Sequence, residues 1–154
     1  MLEGITPLRI VRLVAVAASI AAALVAPAGA AQTRHLHGGG TATISQVAVN
    51  VSIDESGSAT GSFECLMAGR SAFVLGDFQL DHIMAVHVRP DRGSVAWPVV
   101  RFSGSGSLVM DHGQHRRIDA SVWVNVATQE FQLTVVQVGS LPVETMVTGR
   151  IALG

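Results

Sequence analysis

The chain has 154 residues, 49% of them apolar, and a formal charge of −1 at pH 7. The length suits one domain, and the charge balance excludes the basic footprint of a nucleic-acid binder. All ten basic side chains are Arg, Cys occurs once and Tyr is absent, which excludes Lys Schiff-base chemistry, an internal disulfide and a Tyr general acid.

Residues 1–30 read as a secretory signal peptide with a helical core. Arg9 and Arg12 make a short basic start, and Leu13 to Val25 are uncharged. Ala28-Gly29-Ala30 has the small-x-small pattern of a cleavage site, with Ala28 and Ala30 at the small positions. The uncharged stretch to Ala31 nearly reaches the ~20 residues of a membrane-spanning helix, but Pro27 and Gly29 interrupt it. Membrane contact is therefore expected only through the uncleaved segment. No Cys sits at the cut to carry a lipid, and Arg9 and Arg12 are not the adjacent pair of a twin-arginine signal. The expected destination is outside the cytoplasm: periplasm, cell surface or medium. The exported part carries eight Arg against ten Asp or Glu, a formal charge of −2, so neither nucleic acid nor an anionic membrane is expected as a partner.

Residues 31–40 are expected to be a flexible new N-terminus, and 41–154 an all-β domain. The dominant period there is two, the strand period. Val47, Val49, Val51 and Ile53 alternate with polar or small residues, as do Ile118, Ala120, Val122, Val124 and Val126. Phe131, Leu133 and Val135 follow the same rule, and Val143, Thr145, Val147 and Ile151 continue it. Turn signals fall at Asp54-Glu55-Ser56-Gly57, Arg89-Pro90-Asp91-Arg92-Gly93, Asp111-His112-Gly113-Gln114, Ala127-Thr128 and Gly139-Ser140-Leu141-Pro142. Between Ser71 and His87, Leu75-Gly76-Asp77 reads as a loop and Asp81-His82 interrupts an apolar run. The expected fold is a single antiparallel β-sandwich or partly closed β-barrel of about seven to nine strands. A short repeat, Thr60-Gly61-Ser62-Phe63, Ser105-Gly106-Ser107-Leu108 and Thr148-Gly149-Arg150-Ile151, suggests glycine bends that let a sheet curl.

The segments His37-Gly38-Gly39-Gly40-Thr41, Phe63 to Gly69, Phe102 to Gly106 and Thr148-Gly149-Arg150-Ile151 resemble small exported bacterial β-rich proteins of unassigned role. The resemblance implies bacterial origin and export, and it carries over no catalytic residue.

Histidine offers the richest candidate chemistry. His35 and His37 form a His-x-His pair, and His112 and His115 flank a turn beside Asp111; together these are candidate Zn or Cu ligands. A copper clamp at a new N-terminus would need a cut after Gln32, against the small-residue rule. His82 and His87, with His112 or His115, would serve a small secreted enzyme using acid/base or metal-assisted chemistry. There is no HExxH, and Ser105 between Gly104 and Gly106 is not a nucleophile elbow. The carboxylates Asp54, Glu55, Asp77 and Asp81 sit at turns, where water solvates them. Cys65 alternates with Phe63 and Met67, as a buried core residue would. Trp123 shares the polar phase of its strand with Asp119, Ser121 and Asn125 and is a candidate ligand or partner contact. Trp97 precedes Pro98, which suggests an edge strand or irregular segment. No cofactor motif is present. The leading expectation is an exported, non-enzymatic binding or structural domain; a small His-based enzyme and a metal-binding accessory protein are the alternatives.

Overall fold

The structure, a computed structural model, describes residues 32–67, 73–75, 78–80, 83–110 and 113–154. The expected signal segment with Ala28 and Ala30, and also His82 and His112, lie outside these residues. Among the described residues, twelve strands run in chain order: β1 (Arg34–Thr41), β2 (Ser45–Ile53), β3 (Ala59–Met67), β4 (Phe73–Leu75), β5 (Phe78–Leu80), β6 (Ile83–Ala96), β7 (Val99–Met110), β8 (His115–Asn125), β9 (Glu130–Val135), β10 (Gly139–Ser140), β11 (Glu144–Thr145) and β12 (Arg150–Leu153). Ten of them form one sheet in the order β10-β9-β8-β7-β6-β3-β2-β1-β12, with β11 added on β9. Its pairings are antiparallel, and β4 and β5 make a separate hairpin. The count exceeds the expected range because β10 and β11 are two residues each and β4 and β5 stand apart from the main sheet; the other eight strands fall within it.

The period-two runs place their apolar members inside as expected. Val47, Val49, Val51 and Ile53 of β2 are buried, as are Ile118, Ala120, Val122 and Val124 of β8 and Phe131, Leu133 and Val135 of β9. The sheet wraps these residues around one core as a half-barrel. Phe63 on β3 shows the curl. Its ring lies 5.9 Å from that of Phe102 and 6.1 Å from that of Phe131. Three strands separate β3 from β9, so in a flat sheet those backbones would stand ~19 Å apart at the usual strand spacing. Only curvature brings the rings together.

Glycine permits the curl where the repeat suggested. Gly61 has φ +121°, and a Cβ there would collide with the carbonyl oxygen of Asn50 on β2. A Cβ on Gly106 would collide with the carbonyl of His87 on β6. Both strands approach a neighbour more closely than any side chain allows.

Two devices tie the ends of the sheet. β11 pairs with β9, Met146 bridges to Ala42, and Val147 and Thr148 donate their N–H groups to the carbonyl of Thr41. On the other side, Gln129 stands in for a strand. Its amide oxygen accepts the N–H of Ile151 at 2.8 Å, and its amide nitrogen donates to the Ile151 carbonyl at 2.9 Å and to that of Val126 at 2.6 Å. A single side chain thus satisfies both backbone groups of Ile151, as a neighbouring strand would.

The structure corrects three readings. Residues 34–40 are strand and not a loose lead-in: β1 pairs along its whole length with β2 and also with β12. Backbone ladders on both sides and the fully buried Leu36 hold a segment whose glycines could not have signalled it. Arg89-Pro90-Asp91-Arg92-Gly93 does not turn; it continues β6 through a register shift between Pro90 and Arg92. A bulge accommodates the residue without an N–H, and the turn falls instead at Trp97 and Pro98, joined by a cis peptide bond. Third, the phase between Leu141 and Thr148 is reversed, while Ile151 is buried as expected. Val143 and Val147 are exposed, and Glu144 is inside. The Glu144 carboxylate wins the interior because it is met there: Oε2 accepts the N–H of Ile44 at 3.1 Å, and the Ser45 hydroxyl lies 3.0 and 2.8 Å from its two oxygens.

Candidate functional site

The outer face of the curled sheet is largely polar over β7 and β8. Along β7 the outward positions are Arg101, Ser103, Ser105 and Ser107, while Val100, Phe102 and Leu108 point to the core. Trp123 projects from β8 onto this face and is half-buried. Cross-strand register builds the rows around it. Ser94, Arg101, Trp123 and Gln132 form one row, and Arg92, Ser103, Ser121 and Thr134 form the next. Arg89, Ser105 and Asp119 follow. Because the serines are short and their neighbours long, the surface sinks into a shallow depression of about 410 Å³ lined by Arg92, Ser94, Arg101, Ser103, Ser121 and Trp123.

Of the residues singled out with Trp123, Ser121 lines this depression. Asp119 shares the face but lies one row beyond Ser121, opposite Ser105. Asn125 is engaged elsewhere. Its side-chain oxygen accepts the N–H groups of Ala127 and Thr128 and shapes the β8–β9 turn. Arg101 and Arg92 escaped sequence reading. They come from other strands, and only the antiparallel register sets Arg101 directly across from Trp123.

The histidines are spread over the sheet. His35 and His37 do project to one exposed side of β1, where His35 Nδ1 lies 2.9 Å from the Ser52 hydroxyl. His87 is on β6, with Nδ1 3.7 Å from Glu64, and His115 opens β8. β2 and β3 separate β1 from β6 in the sheet. Among the described residues, no three His, Cys, Asp or Glu side chains gather as a metal site. Trp97, expected on an edge or irregular segment, is 69% exposed at the tip of the β6–β7 hairpin.

The other notable polar group lies inside. Cys65 is free and fully buried beside Ser45 and Glu144. Burial, opposed by a hydrogen bond with Ser45 and assisted by the charge of Glu144, pushes its thiol up to about 11 from 9.0. An inert thiol follows, since the thiolate is the nucleophile. The folded state therefore holds the proton after the unfolded chain has lost it. Stability is expected to be complete below pH 9, then to fall as pH rises through about 11, by about 2–3 kcal/mol in all. The chain has no Lys and no Tyr, so no other side-chain type normally titrates in that window. Urea titrations from pH 8 to 11 would show the decline in wild type and its loss in Cys65→Ala; a parallel decline in both would refute the assignment. At Asp54 the Ser56 hydroxyl and the Ser58 N–H hold the carboxyl below its ordinary value, a local turn arrangement on the surface.

In the comparisons with known proteins, no family model, no curated protein and no solved structure matches this chain.

Proposed function

We propose that this chain is an exported β-domain that binds a ligand or partner through the outer face of its sheet and performs no chemistry of its own. The observation that carries this reading is Trp123, a large aromatic standing half-buried among Ser and Arg over a depression instead of in the core. Aromatics and Arg in such a setting are the residue types that dominate recognition surfaces. Export rests on the basic start, apolar stretch and Ala28-Gly29-Ala30 of the first thirty residues. The outward positions of β7 and β8 carry Ser, Arg and Asp where a lipid-facing barrel carries an apolar band, which supports a water-facing role.

Two measurements test the proposal. Fractionation of cells expressing the full chain should recover a product beginning at Ala31 outside the cytoplasm; an uncleaved cytoplasmic product would defeat the export reading. Purified protein should be retained on isolated cell envelope, and Trp123→Ala, with its folding checked by circular dichroism, should lose about tenfold or more of that affinity. Equal retention of the variant would remove this face from the function.

A further inference from the structure

We propose that the ligand of this face is an acidic saccharide, its anionic group held by Arg92 and Arg101 and its sugar ring stacked on Trp123. The proposal rests on the reading of this face as the binding surface and adds the ligand class.

Arg101 sits directly across from Trp123, and Arg92 is the diagonal neighbour of Arg101, one row along on β6. Side chains in such diagonal positions reach one another. Two like charges side by side are unfavourable, and among the described residues no carboxylate lies within 4.0 Å of either guanidinium. Among the described residues, the carboxylates of this face make no ion pair with either guanidinium. Asp119 is across Ser105 from Arg89, Glu64 is beside His87, Glu130 lies one row beyond Trp123 and Gln132 and accepts from the Thr128 hydroxyl, and Asp91 is exposed in the bulge next to Arg92. The Arg92 and Arg101 guanidinium groups at the Trp123 end thus keep their forks unengaged by ion pairs among the described residues, and such a fork suits a carboxylate or sulfate.

The remaining lining is chemically selective. Ser94, Ser103 and Ser121 offer hydroxyls that both donate and accept, as sugar hydroxyls require. The half-buried indole of Trp123, which lines the depression, supplies an aromatic surface for the apolar side of a pyranose ring. A second depression of about 520 Å³, lined in part by Arg89, Ser105, Ser107 and Arg117, continues the first along β7 and gives room for further sugar units. A nucleic-acid strand is the poorer fit, because it carries a phosphate charge at every unit while only Arg92 and Arg101 flank Trp123 and the chain as a whole is slightly acidic.

The test uses the full chain with Trp97→Phe, so that Trp123 is the sole tryptophan and its fluorescence reports the site. The probes are carboxylate- and sulfate-bearing oligosaccharides, each paired with its neutral counterpart, and oligothymidylate. At least one acidic saccharide should change Trp123 fluorescence. Its neutral counterpart, and the variants Arg92→Gln and Arg101→Gln, should each bind about tenfold more weakly or worse, as loss of a charge-assisted hydrogen bond implies. Neutral and acidic forms binding alike would overturn the charge assignment while leaving the face as the binding surface. Oligothymidylate binding as tightly as any saccharide would overturn the ligand class. No response to any probe would overturn the saccharide proposal alone if Trp123→Ala still abolished envelope retention, and both readings if it did not.

Discussion

Phe63→Ala should lower stability by about 3–5 kcal/mol, a large part of the total for a domain of this size. The side chain is fully buried and meets rings from β7 and β9 at 5.9 and 6.1 Å. Its removal opens a cavity at the point where the two arms of the curled sheet touch, and neither arm can collapse without breaking ladder pairing. The expected signature is a lower urea midpoint at unchanged m. The curl itself is tested by a double-mutant cycle between Phe63 and Phe131. An aromatic contact predicts coupling of about 0.5–1.5 kcal/mol. Strict additivity would mean that the rings do not meet and that the sheet is open.

Glu144→Ala should cost about 3 kcal/mol or more, through a different mechanism. Glu144 is 2% exposed and supplies the acceptors for the Ile44 N–H and the Ser45 hydroxyl, both at the β1–β2 turn. Truncation removes the acceptor of the buried Ser45 hydroxyl and of the part-buried Ile44 N–H, and it loosens the contact between β11 and the start of β2. Glu144→Gln keeps a side-chain oxygen for the Ile44 N–H and should recover part of the loss. Ser45→Ala on its own should cost less than Glu144→Ala, and the double variant less than the sum, because removing both partners leaves fewer orphaned groups. Thermal melts of these variants beside wild type would decide it; equal midpoints for wild type and Glu144→Ala would show that the buried carboxylate does not hold this corner.

Both predictions concern groups that chain order alone does not connect. Phe63 was legible as a core residue from its alternation with Cys65 and Met67, but its partners were not. Glu144 is not legible as a buried residue, because Val143, Thr145 and Val147 read as the apolar phase of a strand. Burial there is decided by hydrogen-bond satisfaction: Ile44 and Ser45 present donors that a valine could not meet. At the proposed site, Trp123 and Ser121 could be picked out because a strand shows its polar and apolar faces within one short run. Arg101 could not, since its place beside Trp123 depends on where the β7–β8 turn sets the register.

What the amino-acid sequence determined by itself was the class of structure. Alternating β-branched and aromatic residues bury one face of a pleated strand, and that preference acts locally along β2, β8 and β9. Which strands meet is set by the packing of the whole chain. Curvature placed Phe63 against Phe131, two flanking ladders ordered the glycine-rich β1, and a bulge carried β6 straight through Pro90. Register then set Arg92, Arg101 and Trp123 on one surface. These outcomes depend on contacts between residues far apart in the chain, which no local period can encode.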